Sequence, residues 1–160
     1  MKKMKTLAFI VALGLSVSAN AVEYQATSLV QIPIELLPSD TNKAALYLGN
    51  QQLIMQSKEN VRRAEDITKI KPQDAAKQIT SLDISQVQQT STIEIKCTAT
   101  DPVLCSDFAN ALGQAYIDWH KTFYTNLTTH PFVIEKATPA GRPTGTRLKN
   151  LIDSLEQKDK

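Results

Sequence analysis

Residues Ser91 to Tyr124 read STIEIKCTATDPVLCSDFANALGQAYIDWHKTFY. The first part alternates. Ile93, Ile95 and Cys97 fall on one side, and Thr92, Glu94, Lys96 and Thr98 on the other. A period of two with β-branched residues predicts a strand with one buried face. Asp101-Pro102 then predicts a helix start. An aspartate at the N-cap accepts bonds from unpaired N–H groups, and proline fits the first turn, where its missing N–H costs nothing. Beyond it Cys105, Phe108, Ala109, Leu112, Ala115, Tyr116, Trp119 and Phe123 recur at spacings of three and four. They predict one apolar helical stripe facing a core.

Working outward towards the N-terminus, residues 22–32 alternate in the same way. Tyr24, Ala26, Ser28, Val30 and Ile32 share a face, which predicts a first strand ended by Pro33 and Pro38. Ser39-Asp40-Thr41 offers caps for a helix beginning near Asn42, with Leu46, Asn50, Leu53, Ile54 and Ser57 expected inward. Ser57 also offers a cap for a second helical piece with Val61, Ala64 and Ile67 inward. Its charged residues, Lys58, Glu59, Arg62, Arg63 and Glu65, read as a solvated face. Lys71-Pro72 breaks the chain before a short helix over 73–80. Leu82, Ile84 and Val87 suggest a strand paired with 92–98 through a polar turn at 88–91. After the long helix, residues 131–137 give a last strand with Phe132 and Ile134 on one face.

The order is β-α-β-β-α-β. It predicts an α+β, ferredoxin-like split βαβ fold, with helices on one face of an antiparallel sheet. The strands at 22–32 and 92–98 should be central.

Lys2, Lys3 and Lys5 followed by an apolar run and Ala19-Asn20-Ala21 read as a secretory signal peptide over residues 1–21. An uncleaved N-terminal anchor is the alternative, although the run is shorter than the roughly 20 residues of a span. Cleavage removes three lysines and no acid, so the formal charge goes from +2 to −1. That leaves no basic excess pointing to nucleic acid. The expected organisation is one domain over 22–138 and a polar Pro/Gly-containing tail over 139–160. The expected location is periplasmic or secreted, or the inner membrane if residues 1–21 are retained.

Export would allow Cys97 and Cys105 to close a disulfide, since both are expected to face one core. Two buried thiols are the alternative. The spacing is not a metal pattern, and His120 and His130 are not placed in sequence to complete one. No phosphate loop, metal motif or nucleophile elbow is spelled out. Asp101 reads as a cap. Ser106 has no histidine placed to activate it. Glu94 and Lys96 read as a solvated strand face. Trp119, Phe123 and Tyr124 could stack on sugar, but at helical spacing they fit core packing or a subunit contact better. The reading is therefore non-enzymatic, with no cofactor and no catalytic residue.

Four segments, in order, resemble the periplasmic domain of Wzz-type polysaccharide chain-length determinants, the polysaccharide copolymerases, in their short adaptor-like form. They are Tyr24-Gln25-Ala26-Thr27-Ser28-Leu29-Val30; Leu53-Ile54-Met55-Gln56-Ser57 before the charged run from Lys58 to Ala64; Thr92-Ile93-Glu94-Ile95 leading to Asp101-Pro102, Ala109-Asn110-Ala111-Leu112 and Tyr116; and Val133-Ile134-Glu135-Lys136-Ala137-Thr138-Pro139 leading to Pro143. The resemblance covers about residues 6–143. It implies a self-associating α/β periplasmic domain that helps set the length of a surface polysaccharide. Its implied partners are further copies or a membrane-anchored polysaccharide assembly protein, with polysaccharide itself as a further candidate. The chain departs from the family after Gly141, where a second membrane helix is expected and the sequence is polar. A secreted carbohydrate- or peptide-binding module on the same scaffold is the alternative.

Overall fold

The computed structural model describes residues 22–139; the expected signal peptide at 1–21 and residues 140–160 of the expected tail lie outside them. The strands are β1 (Tyr24–Gln31), β2 (Ile79–Gln86), β3 (Thr92–Ala99) and β4 (Phe132–Glu135). The helices are α1 (Thr41–Met55), α2 (Lys58–Thr68), α3 (Pro72–Gln78) and α4 (Pro102–Phe123). One antiparallel sheet runs in the order β2-β3-β1-β4. The fold is thus α+β with the split βαβ connectivity: β3 lies between β1 and β2, and β1 lies between β3 and β4.

Local chemistry sets the element ends. Asp101 Oδ1 accepts from Val103 and Leu104 N–H at 2.8 and 2.9 Å, which caps α4 as expected. Asp40 caps α1 through Lys43 N–H, and Ser57 caps α2 through Asn60 N–H. Pro72 occupies the first turn of α3. Lys69 ends α2 in the left-handed region, with φ 59°. Val87, expected in the second strand, falls just past the end of β2, where its N–H still donates to Thr92 O across the hairpin.

The inner sheet face carries Ala26, Ser28 and Val30 of β1 and Ile93, Ile95 and Cys97 of β3, all buried. Alternation translates into burial along β1, whereas in β3 Thr92 and Thr98, expected on the outward side, are buried as well. α4 lies across both central strands with Cys105, Phe108, Ala109, Leu112, Ala115 and Tyr116 inward. Gly113 lets it approach closely: a Cβ there would sit 3.1 Å from Val30 Cγ2. The one polar residue on β1's inner face is satisfied, because Ser28 Oγ donates to Glu135 O at 3.2 Å.

Three expected faces are corrected. In α1 the buried residues are Leu48, Gln51 and Met55, whereas Leu46 and Leu53 are about two-thirds exposed. Apolar residues occur nearly all round this helix, so periodicity cannot choose a face, and a polar contact does. Tyr116 Oη donates to Gln51 Oε1 at 2.8 Å inside the core. In α2 Asn60 and Ala64 are buried, while Ile67 is 46 % exposed. At the end of α4, Phe123 is 66 % exposed and leaves the predicted core stripe. The helix outruns the sheet beneath it there.

Candidate interaction surface

The helices cover one sheet face and leave the other bare. Residues opposite each other in an antiparallel pair share a face, so the pairing defines what the bare side presents. Glu94 and Lys96 of β3 lie opposite Leu29 and Thr27 of β1, and opposite Ser85 and Asp83 of β2. Glu94 and Lys96 pair at 2.8 Å, and Glu94 holds the Lys96 ammonium above its usual range. Thr92 Oγ1 donates to Gln31 Oε1 at 2.8 Å. The middle of the surface is therefore polar and internally bonded, in line with the solvated face read from the sequence.

Towards β4 the surface turns apolar. Phe132 lies opposite Gln31, and a bulge between Leu29 and Val30 adds Ile134 to β4 as an extra residue. Phe132 and Ile134 are each about half exposed, beside half-buried Leu29. Val133 points inward instead, against the Gly113 region. Both edges of the sheet end in single-sided pairing, but they differ. Gln52 of α1 and Gln56 just beyond its end both donate to Ile84 O, at 2.6 and 3.0 Å, and so block the middle of the β2 edge. The β4 edge carries no such cover from α1. Just beyond β4, Asn110 clamps Ala137, accepting from its N–H and donating to its carbonyl, both at 2.8 Å.

The remaining singled-out residues fall into place around this frame. Ser106 is buried, and its hydroxyl donates to Val103 O at 2.9 Å. Cys97 and Cys105 face one core as expected. They are free thiols rather than a bridge, and Cys105 Sγ donates to Cys97 O at 2.7 Å. The neighbouring Cys105 and burial together push the Cys97 thiol well up, keeping it protonated. Among the described residues no group of three metal-ligating side chains occurs.

Sequence spacing did not reveal that His120 and His130 meet. Their Nδ1 atoms are 3.0 Å apart, at hydrogen-bond distance, so one ring donates and the other accepts. His120 is fully buried, and its Nε2 has no partner. Burial, and secondarily His130, lowers its pKa to about 4. Trp119 and Tyr124 pack against it, Tyr124 at 4.7 Å, and Trp119 in turn stacks on the exposed Phe123 at 5.3 Å. Helical spacing brings Trp119 to Phe123 and His120 to Tyr124, but only the return of the chain after Tyr124 brings His130 to His120, and helical period carries no signal of that.

No helix among the described residues is long and apolar enough to cross a membrane. No protein-family model matches the chain, and no curated protein matches it.

Proposed function

We propose that this protein is a non-enzymatic periplasmic component of surface polysaccharide biosynthesis. It acts on chain length or export through contacts with further copies of itself or with a membrane-anchored assembly protein. One observation carries the reading: the four segments resembling the chain-length determinants assemble into a single continuous unit. The first is β1, the third is β3 with α4, and the fourth is β4 and its exit, so three of them lie side by side as β3-β1-β4 under one helix. The second is the α1–α2 junction, where Asn60 Nδ2 donates to Leu112 O of α4. The contact surface in this reading is the apolar strip at Phe132, Ile134 and Leu29 with the neighbouring β4 edge.

A photo-crosslinking amino acid at position 132, expressed in the producing cell, tests this reading. The expected product is a covalent adduct with a second copy or with an anchored polysaccharide-assembly protein. The same probe at exposed Glu59 on α2 should not give that adduct. Equal crosslinking from both positions, or none from 132, overturns the proposed surface.

A further inference from the structure

Among the described strands β4 is the shortest, and it is paired on one side only. Its register on β1 rests on Leu29 with Glu135, Val30 with Val133 and Gln31 with Phe132, and a bulge interrupts even this. Contacts outside the ladder hold its two ends, and they differ in kind. At the far end Asn110 clamps Ala137, and Ser28 Oγ donates to Glu135 O. Amides and hydroxyls of this sort do not take up a proton at moderate pH. The near end is entered through His130 and the fully buried Pro131. His130 is fixed there by the 3.0 Å contact between its Nδ1 and that of His120 in the last turn of α4.

This contact tolerates only some protonation states. With both rings neutral, one Nδ1–H donates to the other Nδ1. A proton on half-buried His130 leaves the bond intact, because the charged ring still donates to a neutral His120. A proton on His120 does not. That ring is fully buried, and when charged it carries an N–H at Nε2, which has no partner. With both rings charged, N–H faces N–H across 3.0 Å. The titratable groups packed around His120 supply no counter-charge. They are His130 on the returning chain and Tyr116 and Tyr124 of α4, with Tyr47 of α1 acting on both tyrosines. Asp118 and Lys121, the nearest charged residues along α4, are exposed, and Asp118 accepts from Gln114 instead. Burial, and secondarily His130, accordingly lower the His120 pKa to about 4. A ring released to water returns to about 6.5. Protons therefore bind the opened return more tightly than the closed one, and acid populates the opening.

We propose that the His120–His130 contact is an acid-released latch on β4. A proton on His120 breaks the contact, the return at 124–131 opens, and the Phe132 end of β4 leaves β1. The Asn110–Ala137 end stays in place. Opening removes Phe132 from the apolar strip and bares the β1 edge at Val30 and Gln31, so mild acid withdraws part of the contact surface proposed above. The latch itself does not depend on what that surface contacts.

Amide hydrogen exchange of the full chain, read by mass spectrometry at pH 7.5 and pH 5 and corrected for the intrinsic pH dependence of exchange, tests the latch. Protection over 125–133 should fall by about tenfold at the lower pH. Protection over 134–138 and along the middle of α4 should hold. His120→Gln should abolish the acid-dependent loss. His130→Gln, at a half-buried position, supplies a neutral partner and should lessen it, which keeps the proposal testable if the first variant does not fold. No loss over 125–133, an equal loss in every segment, or the wild-type loss in a folded variant of either kind overturns the latch. Such a failure would not touch the proposed role in polymer length, which a gene deletion reads independently.

Discussion

Two buried residues set the sharpest expectations for single side chains. His120 takes up its proton less readily in the fold than in the unfolded chain, because burial disfavours the charged ring and His130 adds to this. Its contribution to stability is complete above the unfolded value near 6.5 and is lost as pH falls from there towards 4. The loss reaches up to about 3 kcal/mol. Urea unfolding between pH 7.5 and pH 5 should show a falling midpoint, and His120→Gln should flatten that slope. A slope unchanged in the variant would contradict the assignment. Tyr116 gives the second. Tyr116→Phe leaves Gln51 Oε1 buried without a donor and should cost about 1–3 kcal/mol. Adding Gln51→Leu should recover much of it in a double-mutant cycle. Neither pair was legible in the sequence, since 65 residues separate Tyr116 from Gln51 and a polar residue on a helix is read outward by default. Asp101, by contrast, was legible, because a cap depends on neighbours two and three positions away.

Among the elements, the strands and α4 followed from pattern, and α1 did not. β1 and β3 alternate, and each alternation has a single buried solution. α1 has Leu46, Leu48, Leu53, Ile54 and Met55 spread around its circumference, so its face is chosen by what it meets: Tyr116 through Gln51, and the β2 edge through Gln52 and Gln56. Its glycine offers a test against that of α4. A Cβ at Gly49 would meet nothing within 4 Å, whereas one at Gly113 would press on Val30 at 3.1 Å. Gly49→Ala should therefore stabilise by about 0.5–1 kcal/mol through helix propensity. Gly113→Ala should lose that gain, or more, to overpacking. Thermal unfolding of the two variants separates them, and equal shifts would contradict the close approach of α4 to β1. The junction of β3 and α4 makes a further prediction through Cys97 and Cys105. Oxidised glutathione, accepting two electrons and the two thiol protons, should close an intramolecular bridge that lowers the mass by two hydrogens. The short loop should gain about 2–3 kcal/mol. Only intermolecular dimers under the same conditions would contradict the facing of the two thiols.

At the scale of the whole molecule, the two sheet edges and the two faces are treated differently. One face carries the helices and the core. The other is polar and self-paired in the middle and apolar at β4. One edge is blocked at Ile84 by glutamines, and the other is short and bulged. The overall topology was legible because the order of elements leaves few ways to close such a sheet. The apolar strip was only half legible. Phe132 and Ile134 were assigned to one face, but the bulge that presents Ile134 outward depends on its register with β1. A charge on that strip should weaken association while sparing the fold, because Ile134 is half exposed. Ile134→Lys should keep the wild-type unfolding midpoint within about 0.5 kcal/mol and lose the crosslink seen from position 132. The most direct test of the proposed role is the length distribution of surface and released polysaccharide in the producing cell with and without this gene. A shifted or broadened distribution on deletion, restored by the wild-type gene and not by Ile134→Lys, is the predicted result. An unchanged distribution with normal export would contradict it.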